Sequence, residues 1–109
     1  MDIDEKTKEK IQELQSNEQT LQSLLMQKQA FQMELNETEN AFSEITKSKD
    51  DIFKLVGNIM VKADKKKIED ELKKRQELLG LRLKSIESQE TSLTNQTDEL
   101  RKEVMKNLK

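Results

Sequence analysis

The chain has 109 residues and a net charge of −2; 39% of the residues are charged, 32% are hydrophobic, and proline, cysteine and histidine are absent. Without cysteine there is neither a disulfide framework nor a thiolate metal site, and without histidine or cysteine the commonest general bases and nucleophiles are missing. The slightly acidic balance has the wrong sign for nucleic-acid binding. We expect a protein that is not an enzyme, needs no cofactor and binds no nucleic acid.

The first predicted element is a helix over about residues 4–49, a stretch without proline or glycine. Positions spaced by three and four residues form a mainly apolar seam along one face of this helix. One heptad row of the seam is Leu14, Leu21, Lys28, Leu35 and Phe42, and its companion row is Asn17, Leu24, Phe31, Thr38 and Ile45. The pattern predicts a long coiled-coil helix.

The second predicted element is a β-hairpin over about residues 52–62. β-Branched and aromatic residues flank Gly57-Asn58, and glycine adopts the positive φ of a tight turn at little cost. A two-stranded hairpin alone is marginal in water, so its strands should pair with other chains through their open edges. The alternative is an apolar loop that links two helices.

The third predicted element is a helix over about residues 64–107, with Asp64 as its N-cap. Acid-to-base pairs at i,i+4, such as Glu71 with Arg75 and Asp98 with Lys102, favour this helix. Its heptad row is Leu72, Leu79, Ile86, Leu93 and Leu100, and its more polar companion row is Gln76, Leu83, Glu90, Thr97 and Val104.

The two heptad rows face each other if the chain folds back at Gly57. Lys28 then faces Ile86, and the companion row is polar, so we expect a loose seam, particularly between Glu87 and Thr97. We also expect the arms to become more mobile toward the chain ends. Gly80, inside the second helix, either allows close approach of the partner helix or is simply tolerated.

These elements predict a mainly α fold, a single domain over residues 1–109: a long antiparallel two-helix coiled coil with a short central β-hairpin. Two helices bury little beyond one seam, so the apolar middle segment needs cover from another subunit, and we expect an oligomer. The first residues lack a secretory pattern and no apolar run is long enough to span a bilayer. We therefore expect a cytoplasmic protein without a membrane partner.

Surplus apolar residues lie off the main seam near the two chain ends. Ile3 and Ile11 should come close to Val104, Met105 and Leu108. Methionine adapts to apolar surfaces of varied shape, so this patch would suit a flexible contact with other proteins. The alternative is that these residues only close the end of the coiled coil.

Two coiled-coil arms around a glycine-centred hairpin resemble the β-type subunits of the prefoldin family of co-chaperones. The discriminating segment is residues 53–62, FKLVGNIMVK. Residues 79–90, LGLRLKSIESQE, are similar to the second helix of the family, and residues 27–29 and 35–38 to the first. The single hairpin points to the β type rather than the α type, and the length and spacing resemble the archaeal β subunit.

The resemblance implies a hexamer of two α-type and four β-type subunits, whose hairpins assemble into a β-barrel platform. It also implies that the coiled-coil tips capture unfolded client proteins and deliver them to a group II chaperonin without ATP. Carried over to this chain, the assembly residues are Phe53, Leu55, Val56, Gly57, Ile59 and Val61. The client-binding residues are Ile3, Ile11, Leu14, Leu100, Val104, Met105 and Leu108.

A second hypothesis is a structural coiled-coil scaffold or tether that binds one specific folded partner through its seam. A scaffold should ignore denatured proteins, whereas a co-chaperone should hold several of them. Suppression of aggregation, measured with two unrelated clients, separates the two functions.

Overall fold

A computed structural model of the chain describes residues 3–108. Its elements follow in the order α1 (Glu5–Lys47), β1 (Ile52–Val56), β2 (Ile59–Ala63) and α2 (Lys65–Asn107). Both helices are 43 residues long, and the two strands form an antiparallel hairpin. The predicted fold class is confirmed, and the central segment is a β-hairpin rather than an apolar loop.

The hairpin turns over two residues, Gly57 and Asn58, because Val56 pairs directly with Ile59. Gly57 has a φ of 61°, and no residue other than glycine has positive φ between residues 3 and 108. Positive φ at the first turn position alone is the type II′ pattern, which matches the twist of the strands it joins. The turn therefore requires glycine at position 57 and places no such demand on position 58.

Aspartates cap the starts of both helices. Asp64 accepts a hydrogen bond from the backbone N–H of Lys66 at 3.1 Å, and Asp4 accepts one from the N–H of Thr7 at 2.7 Å. Each carboxylate satisfies a donor that has no partner within the helix and places negative charge at its positive end. The N-cap predicted at Asp64 is confirmed, and Asp4 provides an equivalent cap for α1.

The side chain of Lys65, the first residue of α2, caps the C-terminal end of α1. Its Nζ donates to the carbonyl oxygen of Ser48 at 2.8 Å and to that of Thr46 at 3.4 Å. Carbonyl groups at a helix C-terminus lack partners within the helix and carry partial negative charge, so an ammonium group is favourable there. This contact offsets part of the cost of starting α2 with three lysines.

The chain forms two compact units, and each contains a part of both helices. The terminal unit comprises residues 3–29 and 84–108, and the hairpin unit comprises residues 30–83. Each has its own buried side chains and its own contacts between α1 and α2.

In the terminal unit the helices run antiparallel. The order of the ion pairs shows this, since residues later in α1 pair with residues earlier in α2. Lys10 forms an ion pair with Glu103 at 2.9 Å, and Lys28 forms one with Glu90 at 3.2 Å. The buried side chains of this unit are Thr7, Leu24, Ile86, Thr97 and Val104. Four of the five belong to the predicted heptad rows, and Thr7 lies one heptad before Leu14.

In the hairpin unit two aromatic rings of α1 lie beneath cations of α2. The guanidinium carbon of Arg82 is 5.7 Å from the ring centroid of Phe31, and Nζ of Lys73 is 6.0 Å from that of Phe42. Each is close enough for a cation–π attraction, and the order of the pairs is again antiparallel. The buried side chains of this unit are Thr38, Leu79 and Leu83, all on the predicted rows.

In the predicted i,i+4 pair of Glu71 with Arg75, both residues have other partners. Arg75 pairs with Glu34 of α1, and Glu71 lies 3.8 Å from Lys54 of the hairpin. Exposed pairs along one helix contribute only a few tenths of a kcal/mol each, so a carboxylate or an amine from a neighbouring element readily displaces them.

Gly80 is tolerated and serves no close approach. A Cβ added there would meet nothing within 4 Å outside the neighbouring turns of its own helix.

Candidate functional site

Both faces of the hairpin are apolar. The register puts Phe53, Leu55 and Met60 on one face together with Lys62. The other face consists of Ile52, Lys54, Val56, Ile59, Val61 and Ala63. An antiparallel sheet commonly has one polar face that is exposed to water, but this hairpin has no polar face. It therefore needs cover on two sides.

The apolar surface of the hairpin is open in the single chain. Six of its large hydrophobic side chains are between 48% and 67% exposed: Phe53, Leu55, Val56, Ile59, Met60 and Val61. Monomeric proteins rarely expose a contiguous apolar patch of this kind, and both strands of a lone hairpin are edge strands with unpaired backbone groups. The hairpin has the side chains and the open edges of a sheet that other chains complete.

The lysines of the hairpin are neutralised within their own unit. Nζ of Lys54 lies 3.8 Å from Glu71, and Nζ of Lys62 lies 3.5 Å from Asp51. A buried charge is tolerable only when it is paired. Another chain can therefore cover these faces without stranding an unpaired ammonium group.

Met60 belongs to this surface although the predicted assembly set omits it. Its side chain is 65% exposed and lies directly opposite Leu55, a member of that set. The signal was present in the sequence, because a two-residue turn after Val56 fixes the pairing of Leu55 with Met60 and so the face of each side chain.

The seven predicted client-binding residues all lie in the terminal unit, but their exposure differs. Val104 is only 6% exposed within the seam, whereas its neighbour Met105 is 59% exposed. The other five are partly buried: Ile3, Ile11, Leu14, Leu100 and Leu108. Met105 therefore presents most of its side chain to solvent, and Val104 is accessible only if the helix ends separate.

The seam of the terminal unit contains a polar layer. Lys28, expected opposite Ile86, reaches Glu90 at 3.2 Å, and both side chains are partly buried. Within the described part of the chain, Oγ1 of Thr97 is buried without a hydrogen-bond partner. A groove of about 630 Å³ borders the same stretch, lined by Glu18, Leu21, Gln22, Leu25, Glu90, Thr91, Thr94 and Asn95. The seam here is polar, as the companion row predicted.

The carboxyl group of Asp4, at the start of α1, has a lowered pKa. The hydroxyl and backbone N–H groups of Thr7 hydrogen-bond the Asp4 carboxylate and lower its pKa below the ordinary value of 3.8. Between residues 3 and 108, no three acidic side chains are grouped so as to hold a metal ion. No helix in that range has an apolar stretch able to cross a bilayer.

Comparison with known proteins agrees with this architecture. A family model described as "Prefoldin subunit" matches residues 8–109. A prefoldin subunit beta from Pyrobaculum arsenaticum is 47% identical over 90 residues, which cover 81% of this chain and 73% of the relative. One from Pyrococcus furiosus is 39% identical over 94 residues, covering 84% of this chain and 80% of the relative.

A solved structure gives the same result. The crystal structure of the prefoldin beta subunit from Thermococcus strain KS-1 matches with a TM-score of 0.87 and 36% identity, covering 96% of this chain and 94% of that one. The two helices, the glycine-turned hairpin and the matched sequence together show that the chain belongs to the prefoldin family, as a subunit of the β type.

Proposed function

We propose that this chain is one of four β-type subunits in a hexamer with two α-type subunits, and that its hairpin contributes strands to a β-barrel platform. Membership of the family implies assembly with other prefoldin subunits. The observation that carries the proposal is the hairpin itself, with two apolar faces and two open edges. Barrel closure would cover the edges and bury one face, which accounts for a sheet that cannot stand alone.

The terminal unit would hold unfolded client proteins. Met105 offers an exposed, adaptable apolar side chain, and the partly buried Ile3, Ile11 and Leu108 add to it when the helix ends separate. Each such contact is weak. Several copies in one assembly raise the overall affinity by avidity, because the second and later contacts form within a single complex.

The proposal includes delivery of the client to a group II chaperonin, without ATP and in the cytoplasm. These steps are taken from the likeness to the family. They fit a surface that works by apolar contact, in which release follows from competition by a second protein for the same apolar segments of the client.

The test is a truncated subunit that lacks residues 1–11 and 101–109, assembled with its α-type partner. This deletion removes five of the seven candidate client-binding residues, all but Leu14 and Leu100, and leaves the hairpin unit unchanged. We expect a hexamer of correspondingly lower mass that no longer suppresses the aggregation of two unrelated denatured clients. Light scattering measures the suppression, and native mass spectrometry measures the assembly.

Full suppression by the truncated hexamer would reject the assignment of client binding to the terminal unit. An untruncated hexamer that fails to suppress aggregation of either client would reject the co-chaperone function itself and favour a scaffold that binds one folded partner.

A further inference from the structure

One face of α2 in the terminal unit combines an apolar side chain with an excess of positive charge. Asp98, Arg101, Lys102, Met105 and Lys106 lie three, four, seven and eight positions along the helix, which puts them on the same face. They line a groove of about 490 Å³. We call these five residues the Met105 face.

Some charged groups of the Met105 face have ion-pair partners and others do not. Arg101 bonds Asp98 at 3.2 Å and Glu18 at 3.1 Å, so its charge is neutralised within the unit. Lys102, predicted to pair with Asp98, has no carboxylate within 4 Å among the described residues, and neither does Lys106. Within residues 3–108, the face thus offers two ammonium groups with no carboxylate within 4 Å, beside an apolar side chain.

We propose that the Met105 face gives client binding a charge preference: it favours unfolded segments in which acidic residues flank a large apolar side chain. The proposal rests on the client-holding function and adds the chemical class of segment preferred. Met105 takes the apolar side chain, and the flanking carboxylates reach Lys102 and Lys106. Segments with lysine or arginine in the flanking positions meet like charge and bind less well.

A protein segment fits this face better than a nucleic acid does. The group between the two lysines is the thioether of Met105, 59% exposed, and no aromatic ring is available there for a base to stack on. The net charge of the chain is also negative, so the positive charge is local and its attraction decays over about 10 Å at 0.1 M salt. Such a field discriminates between residues directly beside the bound side chain.

The experiment uses the assembled hexamer and two peptides with the same leucine- and phenylalanine-containing core, one flanked by glutamates and one by lysines. Fluorescence anisotropy measures both affinities at low and at high salt. We expect the glutamate-flanked peptide to bind roughly three- to tenfold more tightly at low salt, because exposed ion pairs contribute modestly to affinity, and we expect the difference to shrink at high salt, which screens them.

Two variants assign the preference to this face. Reversing both charges in Lys102→Glu/Lys106→Glu should invert the preference, whereas Lys66→Glu/Lys67→Glu, which changes two other exposed lysines of α2, should leave it unchanged. Met105→Ala should weaken the binding of both peptides by a similar factor and leave the ratio of their affinities unchanged. Aggregation of a denatured client is followed in parallel for every variant.

Equal affinity of the two peptides for a hexamer that suppresses aggregation would overturn the charge preference alone. Tighter binding of a short single-stranded RNA than of the glutamate-flanked peptide would overturn it too, because the face would then be a general polyanion site. Loss of aggregation suppression in the unmodified hexamer would instead contradict the client-holding function.

Discussion

Lys28 and Glu90 form an ion pair between the helices of the terminal unit, 62 positions apart in sequence, with Nζ 3.2 Å from Oε1. Both residues occupy seam positions of their heptads, where an apolar side chain would be usual. Their side chains are 36% and 27% exposed, so the pair is neither fully solvated nor fully buried.

Replacing one partner of this pair should cost more than replacing both. Lys28→Leu or Glu90→Leu alone leaves a partly buried charge without its partner and should lower the free energy of unfolding by about 1 kcal/mol. The double variant places apolar side chains at both positions and should be at least as stable as the wild type. Urea unfolding of the purified subunit, followed by circular dichroism, measures the difference.

The exposed pair of Lys8 with Glu5, at 3.9 Å, is the control for this comparison. Alanine substitutions there should give a coupling energy within about 0.5 kcal/mol of zero, because solvent screens both charges. A double Lys28→Leu/Glu90→Leu variant that is less stable than the wild type would show that the ion pair is a net stabiliser.

The two glycines should respond to alanine in opposite directions. Gly80→Ala should raise the free energy of unfolding by about 1 kcal/mol, because the added methyl group meets nothing and alanine favours the helix. Gly57→Ala should lower it by roughly 1–2 kcal/mol, because φ is 61° at that position. Steric room does not distinguish the two sites, because a Cβ added at Gly57 also meets nothing within 4 Å.

Thermal unfolding of both variants checks this pair of predictions. A destabilised Gly80→Ala would mean that the helices approach more closely there than the geometry indicates, and a neutral Gly57→Ala would mean that the turn does not hold its type II′ conformation.

The cap at Asp4 should make the start of α1 sensitive to acid. The folded pKa of this carboxyl lies below its ordinary value of 3.8, so the ionised form stabilises the helix start. That contribution is fully present above pH 3.8 and is lost as the pH falls through the lower, folded pKa. NMR titration of the Asp4 carboxyl, together with exchange of the Thr7 amide, follows it directly.

Asp4→Asn supplies the reference for this titration, because a neutral amide oxygen still accepts the Thr7 hydrogen bond and does not titrate in this range. A carboxyl at Asp4 that titrates at or above 3.8 would contradict the cap.

Much of the fold could be predicted because it follows from periodicity and turn chemistry. Leu24, Leu79 and Ile86 are buried at predicted heptad positions, and the turn falls at Gly57. These features depend on spacing along one chain and on the φ available to one residue type, both of which are local properties of the sequence.

The site was predicted less completely, because it depends on the partners that side chains choose across elements. Periodicity put Lys28 opposite Ile86, but its long side chain extends to Glu90. Asp98 bonds Arg101 rather than Lys102, which leaves that lysine available. Competition among several nearby charges is decided by fractions of a kcal/mol and by the positions of both helices, which spacing alone does not give.

If the hairpin joins this chain to other prefoldin subunits, two exposed methionines should respond differently to substitution by aspartate. Met60 on the hairpin and Met33 on α1 are both 65% exposed. An aspartate at either position should therefore change the stability of a single chain by about the same amount. Of the two, only Met60 would be covered on assembly. A carboxylate buried there without a partner would weaken the free energy of assembly by several kcal/mol.

The measurement is the native mass of each variant mixed with the α-type subunit. We predict that Met33→Asp assembles like the wild type, and that Met60→Asp stays a helical but unassembled subunit. A Met60→Asp variant that forms the wild-type hexamer at the same concentrations would contradict the account.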